Sequence, residues 1–162
     1  AGAWSARLRE PLGYNLPLEA ERGYHLILQN PGITVNNSIM DADAKFVASS
    51  MSAGVRCAGT AEFAGLDVLP DYRRSQIFVR LAERLFPNIN TIDTIEWMGS
   101  RPSFPDSLPC LGEVPGKKGL FCAFGHSHYG FGMAPNTGRV VASIVTGEPV
   151  NIDLKPYQIG RF

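Results

Sequence analysis

The sequence predicts an α+β protein, an antiparallel-rich mixed sheet with flanking helices followed by a C-terminal strand, loop and helix. Three observations carry this expectation. Seventeen glycines and twelve prolines in 162 residues are more than a helical bundle holds, and favour turns and strands. Runs such as GYHLILQ, KFVASS and TIDTIEW are rich in strand formers or alternate in polarity. Two further segments repeat apolar residues at helical spacing.

Taken in order, residues 3–9 suit a short helix ended by Pro11 and Gly13. Residues 16–29 end in the turn signal Asn30-Pro31-Gly32 and read as one long strand or two. Residues 37–40, 45–50 and 54–60 read as short strands between Asp-, Ala- and Ser-rich turns, with antiparallel pairing and a loosely specified register. Pro70-Asp71 opens the clearest helix, with Asp71 as its N-cap. Phe78, Leu81, Ala82 and Leu85 form the apolar face, Arg73, Arg74, Arg80, Glu83 and Arg84 the solvent face, and Pro87 is the stop. Residues 91–97 alternate like a half-buried strand. Residues 101–109 hold three prolines and are expected to be irregular. A short buried strand follows at 119–124. Pro135 suits the first turn of a last helix, with Val140, Val141, Ile144 and Val145 as its apolar stripe and Gly147 closing it. No repeat and no low-complexity linker divides the chain.

Fifteen basic residues balance fifteen acidic ones, so no global field points to nucleic acid or an anionic membrane. No apolar run reaches the ~18 residues of a membrane span. The opening AGAWSARLRE lacks the basic start and apolar core of a signal peptide. Cys57, Cys110 and Cys122 form no CxxC and cannot close a disulfide framework, so free buried thiols and a reducing cytoplasm are expected.

The stretch GHSHYGFGMAPNTGR, residues 125–139, admits three chemistries. His126 and His128, two residues apart with Cys122 upstream, could share a metal ion on a strand, but no further cluster of ligands completes the site. A nucleophile elbow needs G-x-S-x-G, and here the second glycine falls one residue late, at Gly130. A cofactor accounts for more. A strand, a glycine loop and a helix start converge backbone N–H groups on one point, and Gly130 and Gly132 would let a flat ring lie on the main chain.

GHSHYGFGMAPNTGRVVASIVTGEPV resembles the C-terminal flavin-contacting motif of the D-amino-acid oxidase-like FAD oxidoreductases, a group that includes D-amino-acid dehydrogenases, glycine oxidase and sarcosine oxidase. WMGSRPSFPDSLPCLGEVP resembles the family's W-x-G-x-R-P-x-x-P-D-x-x-P-x-[IL]-G element. AGAWSARL resembles the strand-to-helix turn leading out of its FAD domain, and RGYHL and GVRCAGTAEFAGLD resemble strands of its substrate domain. The matches run in family order over nearly the whole chain.

The resemblance implies residues 1–14 as a remnant of the FAD-binding domain, 15–100 as a substrate-binding domain and 101–162 as a flavin-contacting segment. It implies that Arg101 binds the substrate carboxylate, with Tyr24 or His25 helping. Glycine oxidase carries a second arginine at the position of His128, so the substrate is expected to differ. Gly125, His126, His128, Tyr129, Gly130, Phe131, Gly132 and Met133 would line the isoalloxazine, with Gly2 near the dinucleotide. The implied reaction oxidises a small amine or D-amino acid to the imine by hydride transfer from Cα to noncovalent FAD. No general base is required of the protein if the amine arrives neutral. The electron acceptor, oxygen or a quinone, stays open. A membrane-bound acceptor would put the cytoplasmic enzyme at the periphery of the inner membrane.

The fingerprint G-x-G-x-x-G has no counterpart here. The chain is therefore expected to be the C-terminal part of a larger enzyme whose N-terminal Rossmann-like FAD domain lies elsewhere, without turnover or retained FAD on its own. The last helix's apolar face is expected to promote self-association. A non-catalytic subunit docking onto a separate flavoprotein is the alternative.

Overall fold

The structure, a computed structural model, describes residues 2–8 and 13–162. The chain forms two compact units. One comprises Ala1–Glu21, Phe63–Leu66 and Ser100–Phe162, the other Arg22–Glu62 and Asp67–Gly99. Among the described residues, seven strands form a five-stranded sheet of order β2-β3-β4-β1-β5 and a two-stranded sheet of β6 and β7. The strands are β1 (Glu19–Leu28), β2 (Ile39–Asp41), β3 (Phe46–Met51), β4 (Gly54–Phe63), β5 (Thr94–Ser103), β6 (Cys110–Glu113) and β7 (Phe121–Phe124). Two α-helices complete it, α1 (Arg73–Leu85) and α2 (Gly130–Thr146).

In the second unit, period-two side chains make the core. Leu26 and Leu28 of β1, Phe46 and Ala48 of β3 and Val55 and Cys57 of β4 are all buried. Helix α1 adds Phe78 and Ala82, four residues apart, and the Phe78 ring lies 6.2 Å from that of Phe46. Both residues belong to the expected apolar face. Asp71 is not the N-cap residue. Tyr72 holds that position without a side-chain cap, while the Asp71 carboxylate is drawn onto the amide and guanidinium of Arg73. Phe86 ends the helix just before Pro87. β2–β3 and β3–β4 are antiparallel, the latter turning tightly from Met51 to Gly54. Gly54 has φ +132°, and a Cβ there would stand 2.1 Å from the Leu28 carbonyl oxygen, so only glycine serves.

The first unit packs Leu16, Leu18, Phe104, Cys110, Val114, Cys122 and Ile159 into its own core. β6 and β7 pair antiparallel, with Gly112 opposite Cys122. Strand β6 has too few residues between Pro109 and Pro115 to show a period, and sequence reading misses it. Arg161 pins the C-terminal turns. Its guanidinium bonds both Asp106 oxygens and the Leu108 carbonyl, touches Cys110 Sγ at 3.0 Å and lies 5.0 Å above the Phe104 ring. All three cysteines are free and buried, and burial pushes Cys57 and Cys122 up to about 11.

Three expectations change. The N-terminal helix is a 3₁₀ helix, Gly2–Leu8, and its expected stop at Pro11 lies outside the described residues. Residues 101–103 are not irregular, because β5 runs on through Pro102. β5 is an edge strand, the place in a sheet where proline is tolerated. Helix α2 begins at Gly130, not near Pro135, which sits inside it. Beyond the first turn, a proline gives up the bond to the Phe131 carbonyl and crowds it with its ring, so Pro135 sits there at a cost in helix stability. Gly147, with φ 74°, closes α2 as expected.

Candidate functional site

The loop between β7 and α2 is shaped by backbone. Gly125 has φ +85°, and a Cβ on it would lie 2.2 Å from the Phe104 ring. Ser127 follows in the left-handed region at φ 50°, uncommon for a residue with a side chain. Its Oγ lies 3.0 Å from Ser103 Oγ on β5. His126 Nε2 meets Thr137 Oγ1 of α2 at 3.0 Å, and burial lowers its pKa, so the ring is neutral at pH 7. A one-turn 3₁₀ helix, Ser127–Tyr129, leads into α2.

The first turn of α2 carries no side-chain cap. A Cβ at Gly132 would meet nothing within 4 Å, Tyr129 is exposed, and Phe131 is 98% exposed. A cleft of about 270 Å³ runs beside the helix, with Gly132, Met133 and Asn136 on its wall. A larger groove of about 500 Å³ lies in the other unit, between residues 33–39 and 85–88, and contains none of the expected site residues. Among the described residues no group of three or more His, Cys, Asp or Glu could hold a metal ion.

Arg101 and His128 converge on a residue that the sequence reading did not single out. Glu21 Oε1 lies 2.7 Å from His128 Nε2 and accepts from Arg101 Nη1 at 3.4 Å, while Oε2 accepts the Ser103 hydroxyl at 3.0 Å. The Glu21 side chain is 9% exposed, that of Arg101 32%. One carboxylate therefore ties β1 to β5 and to the loop before α2. The available signal was Glu21-Arg22, adjacent charges in a strand that buries most of its residues. Ser103 and Ser127 carried none.

Tyr24 and His25 lie in the other unit, apart in the division of the chain from Arg101 and His128. The Tyr24 hydroxyl donates to Glu62 at 2.6 Å and accepts the Asp71 N–H. Burial, then Glu62, raises its pKa, and the same hydrogen bond leads the lowering of the Glu62 carboxyl. His25 stacks on Trp97 at 4.8 Å, and burial lowers its pKa. Its Nδ1 is buried without a hydrogen bond among the described residues. Gly2, at φ +58°, has open space around it.

A bent glycine loop, an uncapped helix start and a partly exposed arginine thus occur in one unit of the chain. The chain belongs to the FAD dependent oxidoreductase family, whose model matches residues 1–144. It is 40% identical to a D-amino-acid oxidase of Bradyrhizobium diazoefficiens and 38% identical to a D-amino acid dehydrogenase of Paramagnetospirillum magneticum. Each alignment takes in 100% of this chain and 39% of the relative, so the chain spans about two fifths of their length. Among solved structures, glycine oxidase from Geobacillus kaustophilus superposes with a TM-score of 0.83 at 25% identity, over 100% of this chain and 44% of that one.

The loop fits such a group. The uncapped start of α2 suits an electron-rich ring edge, and a Cβ at Gly132 would meet nothing within 4 Å.

Proposed function

We propose that this chain is the portion of an FAD-dependent oxidoreductase that anchors the substrate and covers one side of the flavin, in an enzyme that oxidises a small amine or D-amino acid to the imine. The observation that carries the reading is the shared Glu21 oxygen. It couples Arg101, a half-open guanidinium, to His128, two residues before the helix start.

Arg101 offers its remaining donors to a substrate carboxylate, for which a planar fork is the matching partner. Fixing that end orients the Cα–H and lowers the entropic cost of reaction. Gly125, His126, Tyr129 and the first turn of α2 through Met133 hold the ring, and their N–H groups favour negative charge on it. The flavin, when bound, supplies the two-electron oxidation of the C–N bond. His128 orients Glu21 and no residue of this chain is required as a base. Residues 1–14 belong with the remaining FAD domain, which supplies the dinucleotide cradle.

The test is the whole flavoenzyme, purified with its flavin and offered D-amino acids, glycine, sarcosine and proline analogues with a dye, oxygen or a quinone as acceptor. Bleaching of the flavin absorbance by one of these classes is expected. Absence of flavin from the whole protein would sink the reading. The acceptor arm also reads whether a membrane quinone is involved.

A further inference from the structure

Glu21 plays no part in the reaction as derived, yet it is the hub of this side-chain cluster. A buried carboxylate is costly unless paired and hydrogen-bonded, and its pairing cation here is the arginine assigned to the substrate. We propose that Glu21 determines the charge class of the substrate, admitting amino acids with one carboxylate and rejecting those with an acidic side chain. The proposal rests on the reading of Arg101 as the carboxylate anchor.

The argument is one of local charge. Glu21 Oε1 engages Nη1 of Arg101, which leaves the rest of the guanidinium for one incoming carboxylate. His128 is the other basic group on Glu21, with its Nε2 2.7 Å from the same oxygen. Arg101 and Glu21 offset each other's charge. Ser103 and Ser127, the remaining partners, are uncharged. Arg161 is committed to Asp106. A substrate α-carboxylate on Arg101 therefore already shares its cation with Glu21. A second carboxylate would find no free cation in the cluster and would face Glu21 where burial limits screening. An amide of the same shape meets no such repulsion.

The experiment compares isosteric pairs on the full-length flavoenzyme, D-asparagine against D-aspartate and D-glutamine against D-glutamate. Wild-type kcat/KM is expected to favour each amide by at least about tenfold, the scale of a like-charge contact in a partly buried site. Glu21→Gln keeps an acceptor for His128 and Arg101 but removes the charge, and should bring the ratio within about threefold, chiefly through a lower KM for the acid. Glu21→Asp keeps the charge and should retain the preference. A wild-type enzyme that takes acid and amide equally, or prefers the acid, overturns the proposal without any variant. So does a flavin-loaded Glu21→Gln enzyme with the wild-type ratio. If no amino acid at all bleaches the wild-type flavin, it is the assignment of Arg101 that has failed, and the role of Glu21 falls with it.

Discussion

Two arginines, each set against a glutamate, sit in the two units and are treated in opposite ways. Arg22 has 1% of its side chain exposed. It donates to the carbonyls of Val68 and Leu69 and lies 3.5 Å from Glu62, which also accepts from Tyr24 and Arg74. Arg101 has about a third of its side chain exposed, and among the described residues its partner is Glu21, at a long 3.4 Å. The first guanidinium is spent on holding the chain from β4 to α1 by its backbone, so Val68 and Leu69 turn their side chains outward. The second is braced at one corner and open at the rest. A buried charge with every edge engaged is architecture, whereas one with edges to spare can take a ligand.

That contrast can be broken most forcefully at Arg22. Arg22→Ala leaves two carbonyls without their donor and Glu62 with Arg74 as its remaining cation, and should lower stability by about 3–5 kcal/mol in thermal or urea unfolding. The same experiment on Arg101→Met should show a change of about 1 kcal/mol or less, since its ion pair is partly solvated. In the whole enzyme, however, Arg101→Met should cost roughly 100-fold in kcat/KM for carboxylated substrates and far less for simple amines, the worth of a charge-assisted pair. Equal stability losses at the two positions would erase the distinction.

Smaller effects sharpen it. Gly125→Ala adds a methyl at φ +85° against Phe104 and should cost about 1–3 kcal/mol, with weakened flavin retention in the whole protein. Tyr24→Phe removes a hydroxyl that serves Glu62 and the Asp71 N–H, and should lower stability by about 1–2 kcal/mol. If Tyr24 also assists the substrate, as the resemblance implies, KM rises in the same variant. The least effect concerns acid. Arg161 holds the Asp106 carboxyl below its ordinary 3.8, and Tyr24 holds Glu62 below 4.5. Both contributions are complete above those values and fade as pH falls through the lowered folded ones. Unfolding midpoints should therefore drop below about pH 4, and Asp106→Asn should flatten that part of the profile.

Much of this was legible in the sequence for one reason: the elements that bury a single face announce their period. The spacing of Phe78 and Ala82, the alternation from Phe46 to Ala48 and the closing Gly147 all report local geometry. Pro102 misled because a proline reads as irregular until the strand is known to lie at a sheet edge. Pro135 misled because glycines rarely announce a helix start, although here they begin one. At the site, Arg101 and His128 stood out within motifs, but Glu21 lies some eighty residues from Arg101, and nothing in a strand's own pattern names a distant partner. Tyr24 was singled out as a helper in substrate binding, and its hydroxyl bonds Glu62 and the Asp71 N–H. Its partners Glu62 and Asp71 were hidden by the same separation.

The two cores also differ in when they can form. Every buried member of the second unit's cluster, from Leu26 to Ile89, emerges in one uninterrupted stretch of synthesis. The other cluster needs Leu16 and Leu18 to meet Phe104, Cys122 and finally Ile159. A ribosome releasing this chain from its N-terminus would see the later-numbered β-sheet core settle first, while Leu16 and Leu18 wait uncovered for Ile159. The unit that carries Arg101 and the glycine loop thus cannot complete its core until Ile159 is made.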